Sequence, residues 1–192
     1  MSSPATLPPI SSLPAANDET IKSALDTLFE PAAEIHALSI PIIRNSSPPF
    51  ESYEALIQRV GVHMLQLAHS PASPSARTRL HSILGSHPRL GEKKVDSAQS
   101  RAEQAHLNAS SPSDSKEKEE EAAKLKVLNE EYEAKFPGLR YVVFVNGRSR
   151  PVVMQNMRER IGRGDLDAEE REAIQAMVDI ALDRAKKLQV AG

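Results

Sequence analysis

The chain has 192 residues, a formal net charge of −2 and no cysteine. This length allows one domain with a buried core, either alone or with short tails. The small net charge gives no reason to expect a nucleic-acid or anionic-membrane partner, and the absence of cysteine excludes disulfides, thiol nucleophiles and zinc–thiolate sites.

The composition favours helices over a sheet. Leu, Ala, Glu, Lys and Arg are abundant, tryptophan is absent, and aromatic residues make up only 4% of the chain; helical proteins use the first group heavily. No apolar run approaches the roughly 18 residues needed to span a bilayer, and the N-terminus lacks a signal-peptide pattern. We therefore expect neither membrane insertion nor secretion.

The first sixteen residues are rich in Pro, Ser and Ala and show no periodicity. We interpret residues 1–16 as a disordered or loosely ordered arm and residues 17–192 as the domain. Asn17 or Asp18 can cap a first helix, which Pro31 ends or kinks. Residues 32–38 are predicted to form a further short helix, and the proline-broken run that follows is too short for a convincing strand.

The middle of the chain predicts two more helices. Residues 53–68 have the apolar spacing of a long amphipathic helix. After a Pro/Ser linker, residues 76–84 form a helix for which Gly85 fits the C-terminal cap. We interpret His63 and His69, in or just after the longer helix, as structural or surface residues.

A candidate site follows this helix. His87 precedes Pro88, which favours extended backbone at the histidine. After a loop predicted at residues 91–97, a helix over residues 98–107 places Ser100, Glu103 and Gln104 on one face. An imidazole, a carboxylate, a hydroxyl and an amide could thus converge on one small polar molecule; the alternative is a loop histidine beside a solvated helix face.

Only one run in the remainder looks like a strand. A helix over residues 116–135, which begins with a charge run, stops at Pro137-Gly138, and Tyr141–Val145 follows. A lone run cannot form a sheet, so we expect a buried extended segment whose amides and carbonyls no helix pairs. These groups, from Val142 to Asn146, could pair with a bound imide or ureide, or with neighbouring protein groups.

Two helices complete the chain. Residues 151–160 predict a short helix that ends in a basic patch containing Arg160. Asp167 and Glu170 have the spacing of a capping box for a final helix to about residue 187. The predicted fold is all-α: a single compact domain of about seven to nine helices with one buried extended segment and no true sheet.

The order of several short motifs carries a family resemblance. The motifs are His87-Pro88-Arg89-Leu90, Ser100-Arg101-Ala102-Glu103-Gln104, Lys135-Phe136, Gly147-Arg148-Ser149 and Arg160-Ile161. From about Ile21 onward the chain resembles the 2-oxo-4-hydroxy-4-carboxy-5-ureidoimidazoline (OHCU) decarboxylase family, which makes S-allantoin in urate degradation. It departs from the family pattern at Arg89, where many members have Asp, in a longer insert around residues 110–121, and in lacking Pro-Trp near Ala32.

The resemblance implies a reaction that needs no cofactor or metal. The family's substrate carries a carboxylate and a hydroxyl on a ring carbon beside an imine carbon, and this C=N can take the electrons that carbon dioxide leaves behind. The sequence also lacks a Gly-rich phosphate cradle and a metal-spaced cluster. His87 would do the acid/base work. Glu103 would hold ring or ureido N–H groups; which of the two moves the proton stays open.

The other implied roles concern substrate binding. Ser100 and Gln104 would bond to the ureido arm, and Arg160 would pair with an anionic group through its planar fork. The remaining residues of the implied substrate-binding set are Pro88, Val142, Val143, Phe144, Val145 and Asn146. The expected partners are a small-molecule ureide and a second copy of the chain, as a homodimer.

Two further questions stay open at this point. The chain ends in Gln-Val-Ala-Gly rather than the peroxisomal Ser-Lys-Leu address, which some relatives carry, so cytoplasm and peroxisome are both expected locations. The alternative function is a catalytically silent helical interaction module that uses the charged helix 116–135 and the patch near Arg160. A closed pocket bounded by His87, Glu103 and the 142–146 backbone would favour the enzyme.

Overall fold

The computed structural model describes residues 6–69, 74–91, 97–109 and 115–190. Within these ranges the chain forms a short 3₁₀ helix, Ile10–Ala15, and eight α-helices, with no β-strand. The α-helices are α1 (Asp18–Phe29), α2 (Ala33–Arg44), α3 (Tyr53–Ala68), α4 (Pro74–Leu84), α5 (Ala98–Ala109), α6 (Ser115–Lys135), α7 (Arg150–Arg163) and α8 (Leu166–Val190). The prediction of an all-α domain is confirmed.

The longest helix, α8, organises the core. It packs against α1, α3 and α4, and α3 lies most extensively along it. The two helices approach closely because α3 carries Gly61: a Cβ there would lie 2.7 Å from Cγ2 of Val178 on α8. This crossing places the C-terminal half of α8 beside the end of α1.

Local sequence signals explain where the first and third helices begin. Asn17 accepts a hydrogen bond from the backbone N–H of Thr20 at 2.8 Å, and Ser52 accepts one from Ala55 at 3.1 Å. Both are N-cap contacts that satisfy otherwise unpaired amides of the first turn. The predicted bounds of the long amphipathic helix, residues 53–68, are confirmed.

The N-terminal segment differs from the predicted arm. Its first five residues lie outside the described ranges, but from residue 6 onward it packs on the domain. Leu13 is buried, the Tyr53 hydroxyl donates to the Pro8 carbonyl at 2.7 Å, and Arg44 donates to the carbonyls of Pro14 and Ala16. Composition alone does not reveal such anchoring, because it depends on partners 28 to 45 positions away.

Two helix boundaries are also corrected. Helix α2 continues through Pro41 to Arg44 rather than ending at residue 38, since Ile35 and Ile43 bury one face of it and this packing offsets the hydrogen bond that proline removes. The N-cap of α8 is Asp165, which accepts a hydrogen bond from the N–H of Ala168 at 3.0 Å. The capping box predicted from Asp167 is therefore wrong.

The extended segment lies between α6 and α7. Tyr141–Val145 forms neither helix nor strand, and Tyr141 and Val142 are buried, as predicted. Left-handed backbone at Gly138 (φ 89°) and Gly147 (φ 74°) turns the chain before and after it. The linker predicted near residues 70–75, much of the loop 91–97 and much of the 110–121 insert lie outside the described ranges. None of the helices in the described ranges combines the length and apolarity that a membrane crossing requires.

Candidate active site

Helix α4 delivers His87 to the candidate site. The helix ends at Leu84, and the Gly85 N–H bonds to the His81 carbonyl at 2.8 Å. Gly85 is needed for space rather than for a left-handed backbone, because a Cβ would lie 3.0 Å from the His81 carbonyl oxygen and 3.3 Å from that of Gly138. The loop beyond is held by Arg140, which donates to the His87 carbonyl at 3.3 Å.

Most of the predicted site residues surround one small pocket with a cavity volume of about 30 Å³. Its walls come from the loop after α4, the face of α5 and the extended segment. The predicted residues that line it are His87, Pro88, Ser100, Glu103, Gln104, Val143 and Val145, together with Leu90 and Tyr141. Alternation along extended backbone explains why Val143 and Val145 line the pocket and Val142 does not.

Phe144 and Asn146 line an adjoining groove of about 1160 Å³, including its opening. This groove shares Glu103, Val143 and Val145 with the pocket and extends to Lys187 near the end of α8. Val143, Phe144 and Asn146 also line a further groove together with Arg160. The predicted substrate-binding stretch thus borders three neighbouring cavities, and only part of it faces His87.

The His87 imidazole is held without charge. Its Nδ1 is buried and has no hydrogen-bond partner among the described residues. Burial, together with the charges of Arg184 and Arg140, lowers the pKa of His87 to about 4, and the charge of Glu30 opposes this shift. At neutral pH the ring is therefore able to accept a proton.

Arg184, on α8, joins both polar walls of the site. Its Nε and Nη2 donate to the two carboxylate oxygens of Glu103 at 2.7 and 3.0 Å. Nη2 also donates to Oε1 of Glu30 at 2.8 Å and to Oγ of Ser100 at 3.0 Å. Only 3% of Arg184 is exposed, so this two-pronged contact fixes the Glu103 carboxylate at the pocket wall.

The sequence matches one known protein family over most of its length. Residues 14–186 match the family model described as OHCU decarboxylase. The chain belongs to the OHCU decarboxylase family. No curated protein and no solved structure matches it at the significance threshold applied. Family membership makes the protein a decarboxylase, a carboxy-lyase of purine degradation.

Ser100 and Gln104 of this decarboxylase bond to protein groups. The Ser100 hydroxyl donates to Glu30 at 2.6 Å while it accepts from Arg184. The Gln104 amide donates to the Arg89 carbonyl at 3.1 Å and accepts from the Gly91 N–H at 3.2 Å, which fastens the His87 loop to α5. Both residues line the pocket, but these contacts suit positioning better than the predicted bonds to a ureido arm.

The extended segment has unpaired backbone donors in residues that line the pocket. No acceptor for the N–H groups of Val143 and Val145 occurs in the described parts of the chain. The carbonyl of Val142 accepts from Arg160, and that of Val145 accepts from the Arg148 N–H at 2.9 Å. The segment therefore offers donors, more than acceptors, to a ligand.

Arg160 does not line the His87 pocket. Its Nε lies 3.0 Å from each carboxylate oxygen of Glu169, and its Nη1 donates to the Val142 carbonyl at 3.0 Å. The guanidinium also lies over the Tyr141 ring, 4.8 Å from the centroid. Glu169 already neutralises the charge, so the predicted pairing with a substrate anion is not favoured in the His87 pocket. Arg160 does line a separate groove with Phe144 and Asn146, and its binding of a substrate anion stays a prediction.

Two residues of the site were not predicted, Arg184 and Glu30. Arg184 continues the apolar stripe of α8, seven positions after Met177 and three after Ala181. A charged residue at the helical spacing of a buried apolar stripe needs a buried partner. The position of Arg184 in the sequence could therefore have revealed its role. Glu30 follows the last residue of α1 and carries no comparable signal. No group of three His, Asp or Glu side chains that could hold a metal ion occurs in the described residues.

Proposed function

We propose that the protein converts 2-oxo-4-hydroxy-4-carboxy-5-ureidoimidazoline to S-allantoin in the His87 pocket, without a cofactor or metal. One observation carries the proposal: an uncharged His87, a fixed Glu103 carboxylate and the unpaired N–H groups of Val143 and Val145 border a single cavity. A silent interaction module would present these groups on a flat surface, so the pocket favours the enzyme.

The substrate supplies its own electron sink. When the bond to the carboxylate breaks, the electron pair joins the ring carbon to its imine neighbour, and the imine nitrogen takes up one proton from the solvent. The hydroxyl-bearing C=C that results collapses to a carbonyl by losing the hydroxyl proton and gaining a proton at the former imine carbon. Delivery of that proton from one face gives the S product.

His87 is the proposed acid/base in this sequence. An imidazole that is neutral before the reaction accepts the hydroxyl proton and returns a proton to carbon. Glu103, held by the Arg184 fork, accepts hydrogen bonds from ring or ureido N–H groups. In this proposal His87 transfers the proton and Glu103 orients the ligand.

The backbone of the extended segment is proposed to bind the ligand's carbonyl oxygen. Donors that are fixed before the reaction stabilise negative charge as it develops on oxygen. Val143 and Val145 provide such donors at the pocket wall, and Arg160 holds the neighbouring Val142 carbonyl from behind.

The deciding experiment is His87→Ala. The unstable substrate is generated from urate in situ, and S-allantoin is followed by circular dichroism. A positioned acid or base supplies about 100- to 10,000-fold in rate, so the variant should fall towards the uncatalysed rate and give racemic product. Near-wild-type stereospecific turnover by a folded His87→Ala protein would refute the site.

His63→Ala and His69→Ala are the matched controls. His63 is half-buried on α3, His69 is exposed, and neither lines the pocket. Both variants should retain most of the activity. The homodimer and the choice between cytoplasm and peroxisome stay predictions from the family resemblance.

A further inference from the structure

Glu30 has an unusual backbone for a residue with a side chain. At the C-terminal end of α1 it adopts φ 82° and ψ 149°, close to a region that is otherwise occupied almost only by glycine. Its N–H still bonds to the Asp26 carbonyl at 3.1 Å, so the helix end is well formed around it. Such strain destabilises the fold unless the side chain makes compensating contacts.

The contacts of the Glu30 carboxylate are all polar. Oε1 accepts hydrogen bonds from Oγ of Ser97 at 3.0 Å, from Oγ of Ser100 at 2.6 Å and from Nη2 of Arg184 at 2.8 Å. Burial alone would raise the pKa of Glu30, but Arg184 and the Ser100 hydroxyl lower it below its ordinary value of 4.5. The residue is 3% exposed and does not line the pocket.

We propose that Glu30 is a positioning residue of this decarboxylase, which holds Arg184 and Ser100 so that Arg184 presents the Glu103 carboxylate at the pocket wall. The inference rests on the proposed function of the same site. Arg184 contacts Glu103 through Nε and Nη2, and the same Nη2 is shared with Glu30 and Ser100. Glu30 therefore fixes the guanidinium from the side that faces away from the ligand.

Glu30 also balances charge around His87. Three charged groups act on the imidazole: Arg184 from α8, Arg140 from the loop after α6, and Glu30 from the end of α1. The two cations lower the pKa of His87, and Glu30 raises it. Loss of the Glu30 charge should thus make His87 harder to protonate.

The test compares Glu30→Gln with wild type. Glutamine preserves the shape and one acceptor but removes the charge. Since hydrogen bonds to charged groups are worth more than neutral ones, kcat should fall about 10- to 100-fold. KM should change little, because Glu30 does not touch the pocket. The acid limb of the kcat/KM profile should move to lower pH.

Glu170→Gln is the matched control. Glu170 is 1% exposed, pairs with Arg77 at 2.8 Å and bonds to His81 at 2.6 Å, but it does not line the pocket. Its loss should lower the melting temperature and leave kcat and the acid limb unchanged. If both variants lose kcat equally, Glu30 is only a structural residue and the proposal is overturned.

Two further variants keep the test decisive if Glu30→Gln folds poorly. Glu30→Gly removes the backbone strain, so it should have a higher melting temperature than Glu30→Ala while both have the same low kcat. Recovery of kcat with stability in Glu30→Gly would overturn the proposal.

The His87 titration by NMR separates this inference from the proposed function, since it needs no turnover. The signal is assigned as the imidazole resonance missing from His87→Gln. Glu30→Gln should shift its titration to lower pH, and Glu170→Gln should not. An unshifted titration overturns the inference even if the wild type is active; a wild type without turnover refutes the proposed function but leaves this measurement interpretable.

Discussion

Two buried arginines form ion pairs at α8: Arg160 reaches it from α7, and Arg184 is part of it. Their surroundings differ. Arg160 binds closely to Glu169, which is 0% exposed, lies 3.4 Å from the half-exposed Glu172, and donates to a backbone carbonyl. Arg184 meets two carboxylates, and one of them, Glu103, has 26% of its side chain exposed at the pocket. The first cluster is balanced in charge and its main carboxylate, Glu169, is fully buried, although Arg160 itself borders a separate groove. The second has surplus negative charge and a carboxylate that is exposed at the pocket. We refer to them as the closed and the open cluster.

The difference favours the Arg184 cluster as the proposed functional site. A buried ion pair with satisfied partners is a structural feature, and a buried arginine by itself says little about function. Beside Arg184, by contrast, lies a histidine with a buried nitrogen that finds no partner in the described ranges. Polar groups left unsatisfied at a cavity are where a ligand can add hydrogen bonds.

The largest expected effect lies in the closed cluster. Glu169→Gln leaves the Arg160 charge buried with only the more distant, 41% exposed Glu172 nearby, at 3.4 Å. Removing one partner of a buried pair typically costs about 3–5 kcal/mol of stability. We expect a value near the lower end from urea denaturation, with most of kcat/KM retained by the folded protein. An unchanged free energy of unfolding would show that the cluster is not closed.

A smaller effect on stability, joined by an effect on activity, is expected for Glu103→Gln. Arg184 retains Glu30, so the stability loss should be about 1 kcal/mol. The ligand loses a charged acceptor, and kcat/KM should fall about 100-fold, near 2.7 kcal/mol of transition-state stabilisation. Glu169→Gln should thus lose mainly stability, and Glu103→Gln should lose mainly activity. If both variants lost stability and activity to the same extent, the two clusters would not differ as described.

The last prediction is a pH dependence of stability that belongs to the open cluster. Between about pH 6.5 and pH 4 the unfolded His87 binds a proton and the folded one does not, because the fold lowers its pKa from 6.5 to about 4. Stability should therefore rise with pH across this window, by at most about 1.4 kcal/mol per unit for one proton.

The lowered pKa of Glu30 also makes stability rise with pH, but only below the ordinary glutamate pKa of 4.5. Urea denaturation between pH 5 and 7 isolates the histidine. His87→Gln should flatten the slope there, and an unaltered slope would contradict an uncharged buried imidazole.

Sequence periodicity predicted the helices well because it reports one-sided burial within a few turns. The bounds of α3 match residue for residue, and the extended segment was recognised because a lone apolar run cannot form a sheet. The extension of α2 through Pro41 and the Asp165 cap were missed, since tertiary packing and a choice between nearby acidic residues determine them.

The candidate site was likewise predicted only in part. His87, Ser100 and Glu103 lie in short motifs, and the structure brings them together around one pocket. Arg184 pairs with Glu103 across 81 positions and with Glu30 across 154, separations that no local pattern encodes. Arg160 was predicted to bind the ligand because the sequence shows that an arginine is charged but does not show which residue pairs with it.

The glycine at the crossing of α3 and α8 limits which substitutions this protein can accept there. Val178, which fills the space beside Gly61, lies six residues before Arg184, about 9 Å along the same helix. Any side chain at position 61 must displace α8 or its valine. An alanine at position 61 would therefore move either Val178 or α8, and a movement of α8 would carry Arg184, and with it the Glu103 carboxylate, away from its position at the pocket wall.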